Sequence, residues 1–240
     1  MYKRYLPTSN LDAAFPTWAT AMDQVVNRGF MASADLAEPY VTRFAAAEGA
    51  AIPDIPTVGL DHRKLVEDLR VNGPILIKQK IAGGMAPDAA KMAATERLLG
   101  VIQEHVLSGG RGVVIGASRY YGKSGRWRRV SDGEPCAFCA MLCARGPVYT
   151  EETSAFRSHR SCGCGAEMVF GEWEPTQREA LWRASYDAAA MDADDAGESR
   201  VAPVVKEGKF EDNILYRMRR NAPELFSDGV GESLLKGYQF

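Results

Sequence analysis

The stretch Cys136–Cys164, CAFCAMLCARGPVYTEETSAFRSHRSCGC, holds all five cysteines of the chain and one of its three histidines. Cys136 and Cys139 form a C-x-x-C knuckle, and His159, Cys162 and Cys164 form H-x-x-C-x-C about twenty residues on. Two close sulfurs, a spacer and a second close pair are what a tetrahedral divalent ion requires. Each pair sits on one tight turn, and the spacer folds back to bring the pairs together. Zinc is the expected ion, because thiolate plus imidazole is a borderline-soft donor set that needs no redox partner.

Three other readings of the thiols compete. Disulfides would leave an odd sulfur over, and no secretory signal precedes the stretch. Ordinary buried cysteines rarely gather in one place beside a histidine. A Cys–His nucleophilic pair needs only one of the five. The metal reading accounts for all the spacings at once. Cys136, Cys139, His159 and Cys162 are the first choice of ligands, with Cys164 as the substitute, since both sulfurs of an extended C-x-C point to one side. Cys143 lies among Met141 and Leu142 and reads as core. Four protein ligands close the coordination shell, so the ion is structural and has no open position for water.

Working outward, the chain of 240 residues is 46% hydrophobic and 25% charged with a net charge of −2. These are values of a globular protein. They exclude an overall electrostatic clamp for nucleic acid, so any such binding must come from a local patch. No apolar run approaches membrane-spanning length. Clustered free thiols point to assembly in a reducing cytoplasm. The expected fold class is mainly α with a small α+β zinc-binding module. It divides into a helical N-terminal region (1–108), the module (109–172) and a helical or extended C-terminal extension (173–240).

Leu11, Phe15, Trp18, Met22 and Val25 recur at helical spacing, with Pro16 in a first turn and Gly29 as the end. Ser33 opens a second helix with Leu36, Tyr40 and Phe44 on one face, so a helical hairpin is expected. Residues 50–58 are a proline-punctuated connector. Leu60 to Arg70 is helical by pattern and interrupted at Asn72-Gly73-Pro74. The run Ile75, Leu76, Ile77 and Ile81 fits a short helix or a buried strand. After Gly83-Gly84, Pro87-Asp88 starts a helix with Met92, Leu99, Ile102 and Val106 on its core face. His62 and His105 stand alone and receive no role. Gly109-Gly110 reads as a boundary.

The stretch before the knuckle interleaves Arg119, Lys123, Arg126, Arg128 and Arg129 with Tyr120, Tyr121 and Trp127. Such a pattern can track phosphates while its aromatics stack on bases. The favoured reading is a strand that packs Trp127 and Val130 under the module and leaves the arginines solvated. Asp132-Gly133 is a turn. Beyond the second ligand pair, Ala166–Phe170 reads as a strand, Thr176 and Glu179 as a capping box, and Asn213–Arg220 as an amphipathic helix. The acidic run Asp192, Asp194, Asp195 and Glu198 is read as a break.

The run Arg126–Cys139 (RWRRVSDGEPCAFC), the Gly146-Pro147 loop and His159–Cys164 (HRSCGC) together resemble the MuF-like phage head morphogenesis domain over about residues 110–170. Arg160 stands where family members carry proline. The resemblance implies a minor capsid protein of tailed phages of actinobacteria, located inside the head near the portal or inner shell. Its implied role is in head assembly, DNA packaging or ejection. The implied partners are the portal protein and the major capsid protein or scaffold; packaged DNA would be met through Arg119, Lys123, Arg126, Arg128 and Arg129. Members are often labelled capsid maturation proteases, which makes processing of a scaffold or capsid precursor the alternative function. The serines beside polar partners are Ser118, Ser131 and Ser158-His159. None lies in a G-x-S-x-G elbow, and no H-E-x-x-H is present, so the residues lean away from an enzyme.

Overall fold

The computed structural model describes residues 6–149, 162–197, 203–206 and 209–229, with the side chains at 122–124, 203–206 and 209–213 left out. The fold is mainly helical with two small antiparallel sheets. The chain forms two compact units, Met1–Ser124 with Glu151–Gly163, and Gly125–Thr150 with Cys164–Phe240.

In the first unit the expected hairpin is a single helix, α1 (Leu11–Ala47), which runs through Pro16, Gly29 and Pro39. Gly29 does not end the helix because it serves as a contact point. A Cβ there would fall 2.8 Å from Cγ2 of Val106, so the missing side chain lets another helix approach. The buried face is Leu11, Phe15, Trp18, Val26, Phe30, Ala34, Val41 and Ala45. Leu36 and Tyr40, expected inside, are exposed, and Tyr40 instead stacks on Phe44.

Helix α2 (His62–Arg70) begins at Asp61, whose carboxylate accepts from the amide of Lys64. The predicted interruption at Asn72-Gly73-Pro74 is a turn of π-helix (Val71–Ile75) that leads directly into α3 (Leu76–Ala82). Pro74 has no amide to donate and its ring crowds the preceding turn, and the wider π turn accommodates it without ending the helix. The Ile75–Ile81 run is therefore helical. Gly84, at φ +88°, supplies the expected break.

Helix α4 (Pro87–Ser118) begins with Pro87 in its first turn, as read, and continues without interruption through Gly109-Gly110. The expected boundary is absent there for the same reason as at Gly29: both glycines lie against the backbone of α1. Its inward face is Ala90, Ala94, Leu98, Val101 and His105. Met92 and Leu99 are exposed, and Ile102 and Val106 pack at the edge of the core.

Both histidines placed on these helices have partners. His62 Nδ1 lies 2.7 Å from Asp23, and buried His105 lies 2.9 Å through Nε2 from Asp68, which also accepts from Lys64 at 2.7 Å. Burial alone would raise the pKa of Asp68, but the hydrogen bonds with Lys64 and His105 outweigh it and hold the carboxyl below its ordinary value. A folded pKa below the unfolded one means that the carboxylate adds stability above about pH 4 and loses it as pH falls through the folded value. Asp68→Asn is accordingly expected to flatten the acid limb of stability against pH, below about pH 4. Urea titrations across that range are the measurement. An unchanged acid limb would show that Asp68 gains nothing from its partners.

The second unit is built on strands β1 (Arg126–Val130) and β2 (Gly165–Val169), paired antiparallel with Trp127 opposite Met168 and Arg129 opposite Ala166. Period-2 alternation sends Trp127 and Arg129 to the buried side together with Ala166 and Met168. Trp127 stacks on Tyr149 with ring centres 4.6 Å apart. Between the strands lies α5 (Ala137–Cys143); after them comes α6 (Gln177–Asp195), which opens with the predicted Thr176–Glu179 capping box. Helix α6 continues through Asp192 to Asp195, so the acidic run is helical and does not break it; the turn comes at Gly197, φ +66°. Beyond β3 (Pro203–Lys206) and β4 (Lys209–Asp212), α7 (Asn213–Asn221) packs on α6 and buries Ile214 and Met218.

Candidate metal centre

The turn that presents the knuckle is assembled from local chemistry. Gly133 takes φ +111° and its amide bonds the Ser131 hydroxyl at 3.0 Å, so the predicted Asp132-Gly133 turn forms. Pro135 follows, and Cys136 becomes the N-cap of α5, its Sγ accepting from the Cys139 amide at 3.4 Å. A second cap comes from far along the chain. Asp228 accepts from the Ala137 amide at 2.8 Å and from Arg219 Nε at 2.7 Å, while the Ser227 amide bonds Pro135 O. A carboxylate on the first amides of a helix is favourable by hydrogen bonding and by the helix dipole. The C-terminal part of the unit thus fixes the geometry of the knuckle.

The second arm is extended. Cys162, Cys164, Ala166 and Met168 are all buried and the residues between them are half-buried, so the inward parity of β2 already holds at the C-x-C. The sulfurs of Cys139, Cys162 and Cys164 lie within 4.8 Å of one another, all buried. None of the five cysteines is in a disulfide. Three buried thiols converging in this way form a donor set that can hold a metal ion, and thiolates with no disulfide to make fit a soft or borderline divalent ion.

Three of the five expected ligands, Cys139, Cys162 and Cys164, are therefore brought together. The sulfur of Cys136 lies outside that group and is half-buried at the helix cap. His159 lies outside the described residues. Cys143, read as core, is fully buried and, like Cys136, falls outside that group, although a hydrogen bond with the Cys164 thiol bears on it. That bond, with burial added, pushes the Cys143 thiol far above its ordinary value, while the Arg129 guanidinium acts in the opposite direction.

Several residues that build the site escaped sequence reasoning. Asp228 carries no local signal, being a lone carboxylate in a turn. Buried Arg111 of α4 donates to the Cys162 carbonyl at 2.7 Å and thereby holds the second arm. Of Glu179 the sequence showed the capping-box role at Thr176 but not its pairing with Arg128 at 2.5 Å.

The cation patch is not the solvated row expected. Arg128 sits between Glu167 at 2.7 Å and Glu179, and its side chain is only 13% exposed. Arg129 is 3% exposed on the Trp127 side of the sheet. Strand parity is the cause, because every second residue of RWRRV must face inward. Arg119 and Arg126 are exposed, Arg126 donating to Gly171 O; the side chain of Lys123 is not described. Of the serines, Ser118 is buried and donates to the Ile115 carbonyl, and Ser131 belongs to the Gly133 turn. Ser158 lies outside the described residues. No helix among the described residues is long and apolar enough to cross a membrane.

Comparison with curated proteins and with solved structures gives no match. A family model, that of the VG15 protein, matches residues 2–194. The match takes in the long helices, the knuckle, the cysteine arm and nearly all of α6. With four-fifths of its length aligned to that model, the chain belongs to the VG15 family of phage proteins.

Proposed function

We propose that this protein is a minor capsid protein of the MuF-like type from a tailed phage. It acts inside the head near the portal or inner shell, in head assembly, DNA packaging or ejection. Zinc held by the cysteine cluster makes the cysteine-bearing stretch a rigid docking module. The observation that carries this reading is the convergence of the buried Cys139, Cys162 and Cys164 sulfurs in a phage-family chain. Around them stand the sequence features shared with the MuF-like domain: the strand tryptophan, the Asp-Gly turn, the C-x-x-C helix and the closing C-x-C. Completed by a fourth protein ligand, the thiolate site would have no place for a reacting water, which would suit a scaffold and not a hydrolase. The partners proposed are the portal protein and the major capsid protein or scaffold. Contact with DNA through Arg128 and Arg129 is disfavoured by their burial, which leaves Arg119 and Arg126 as the described cations able to meet a phosphate.

Purified heads provide the test. Quantitative mass spectrometry of DNA-filled particles is expected to find the protein at low copy number relative to the major capsid protein, and cross-linking is expected to join it to the portal. Its absence from both procapsids and mature heads would remove the proposal. Trimming of capsid protein on co-expression, abolished by one side-chain change that leaves folding intact, would replace it with the protease reading.

A further inference from the structure

We propose that two copies of this chain pair through the outward face of α1, antiparallel about a two-fold axis, with Arg28 of each copy opposite Asp35 of the other. The inference goes beyond the capsid reading and depends on no metal.

The first observation is the composition of that face. Through the middle of α1 the inward side is taken by Val26, Phe30, Ala34 and Val41, and α4 packs along it. The other side faces solvent, yet it carries Leu36 at 75% exposure, Val25 at 47% and Met31 at 43%, with exposed Ala32 among them. Positions 25, 32 and 36 fall on one stripe, since seven residues make about two turns and four about one. A helix that is apolar on its outer side as well as its inner one is a helix covered on both, and a contiguous apolar stripe on a surface marks a contact.

The second observation says what covers it. Arg28 and Asp35 border the stripe, also two turns apart, and among the described residues neither has an ion-pair or hydrogen-bond partner. They stand about 10 Å apart along the helix axis, too far to pair with each other. A two-fold axis perpendicular to α1 near Met31 and Ala32 lays the stripe back on itself. Arg28 then meets the partner's Asp35, Asp35 meets the partner's Arg28, and Leu36 of each copy comes beside Val25 of the other. Ala32, at the crossing, leaves room for the helices to approach. The face is thus complementary to itself in charge as well as apolar, which is what an isologous interface requires. A parallel pairing would set arginine against arginine and aspartate against aspartate, so the charges select the antiparallel one.

Sedimentation velocity of the full chain over a micromolar range reads the association directly. The unmodified chain is expected to pass from monomer to dimer as concentration rises. Leu36→Glu is expected to weaken the dimer about tenfold or more, the worth of one buried leucine. Its circular dichroism should not change, because that side chain is exposed in the single chain. Charge reversal reads the orientation. Arg28→Asp makes both positions acidic and Asp35→Arg makes both basic, so each variant alone is expected to lose self-association. Mixed together they restore both ion pairs, and the mixture is expected to form a heterodimer. A monomer at every concentration would leave the face to a different protein and overturn the proposal. So would a dimer indifferent to all three substitutions, or charge variants that fail to associate when mixed.

Discussion

Cys139→Ser, or removal of the ion by a strong chelator, is expected to unfold the second unit while leaving the long helices of the first largely intact. Structural zinc supplies about 10–16 kcal/mol in small zinc modules, comparable to or greater than the total stability of an ordinary domain, about 5–15 kcal/mol. The second unit lacks much to set against that loss. Many of its buried residues are small, among them Ala137, Ala140, Ala144, Ala166, Ala189, Ala190 and Ala193. Each alanine removes little apolar area from water, so hydrophobic burial contributes less there than in the first unit, whose core holds Phe15, Trp18, Phe30, Leu65, Leu69, Ile77 and Leu98. Near-UV circular dichroism should register the change through Trp127 and Trp182, both buried in this unit. Far-UV signal should fall much less, because α1 and α4 have a core of their own. A metal-free protein, verified by elemental analysis, that keeps its near-UV spectrum would show that packing alone sustains the unit.

Gly109→Val is the second large effect, and Gly109→Ala tests its sign. On helix propensity alone, alanine should stabilise α4 by about 1 kcal/mol relative to glycine. Contact decides otherwise. A Cβ on Gly109 would fall well inside the contact distance of the Phe30 carbonyl oxygen and close to the backbone of Ala34. Backbone atoms cannot rotate aside as a side-chain tip can, so α1 and α4 would have to separate along their length. Overpacking of this kind costs about 1–3 kcal/mol and occasionally more, and the valine should lie at or beyond the top of that range. Gly83→Ala is the control, since its Cβ would meet nothing closer than 3.5 Å; it should be near neutral. The comparison is made by thermal or urea unfolding of the full chain. If Gly109→Ala raises the midpoint, the close approach of the two helices is wrong.

Much of the local architecture could be read from the chain before any coordinates. The Asp132-Gly133 turn, the Thr176–Glu179 box, Pro87 at a helix start and the β2 strand each depend on residues within a few positions of one another, and each is found. The inward parity of the C-x-C is of the same kind. The misread places share one feature: each has a partner far along the chain. Gly29 and Gly109 look like punctuation in sequence, yet Val106 and Phe30 turn them into contact points inside helices. Leu36, Met92 and Leu99 have helical spacing, but a neighbouring stripe of smaller residues faces the core. The arginine row has the composition of a surface, and sheet pairing with Glu167 and Ala166 takes Arg128 and Arg129 out of it.

Residue order alone showed that cysteines paired at turn spacing could converge, that the rest of the chain is mostly helix, and where most of the turns fall. Tertiary packing settled which sulfurs meet, that Asp228 and Arg111 brace the two arms, and that Arg129 is buried. The reason is reach. Spacing rules describe neighbours that backbone geometry forces together, whereas the choice among five thiols depends on which face of each element is left facing the others once the elements have packed.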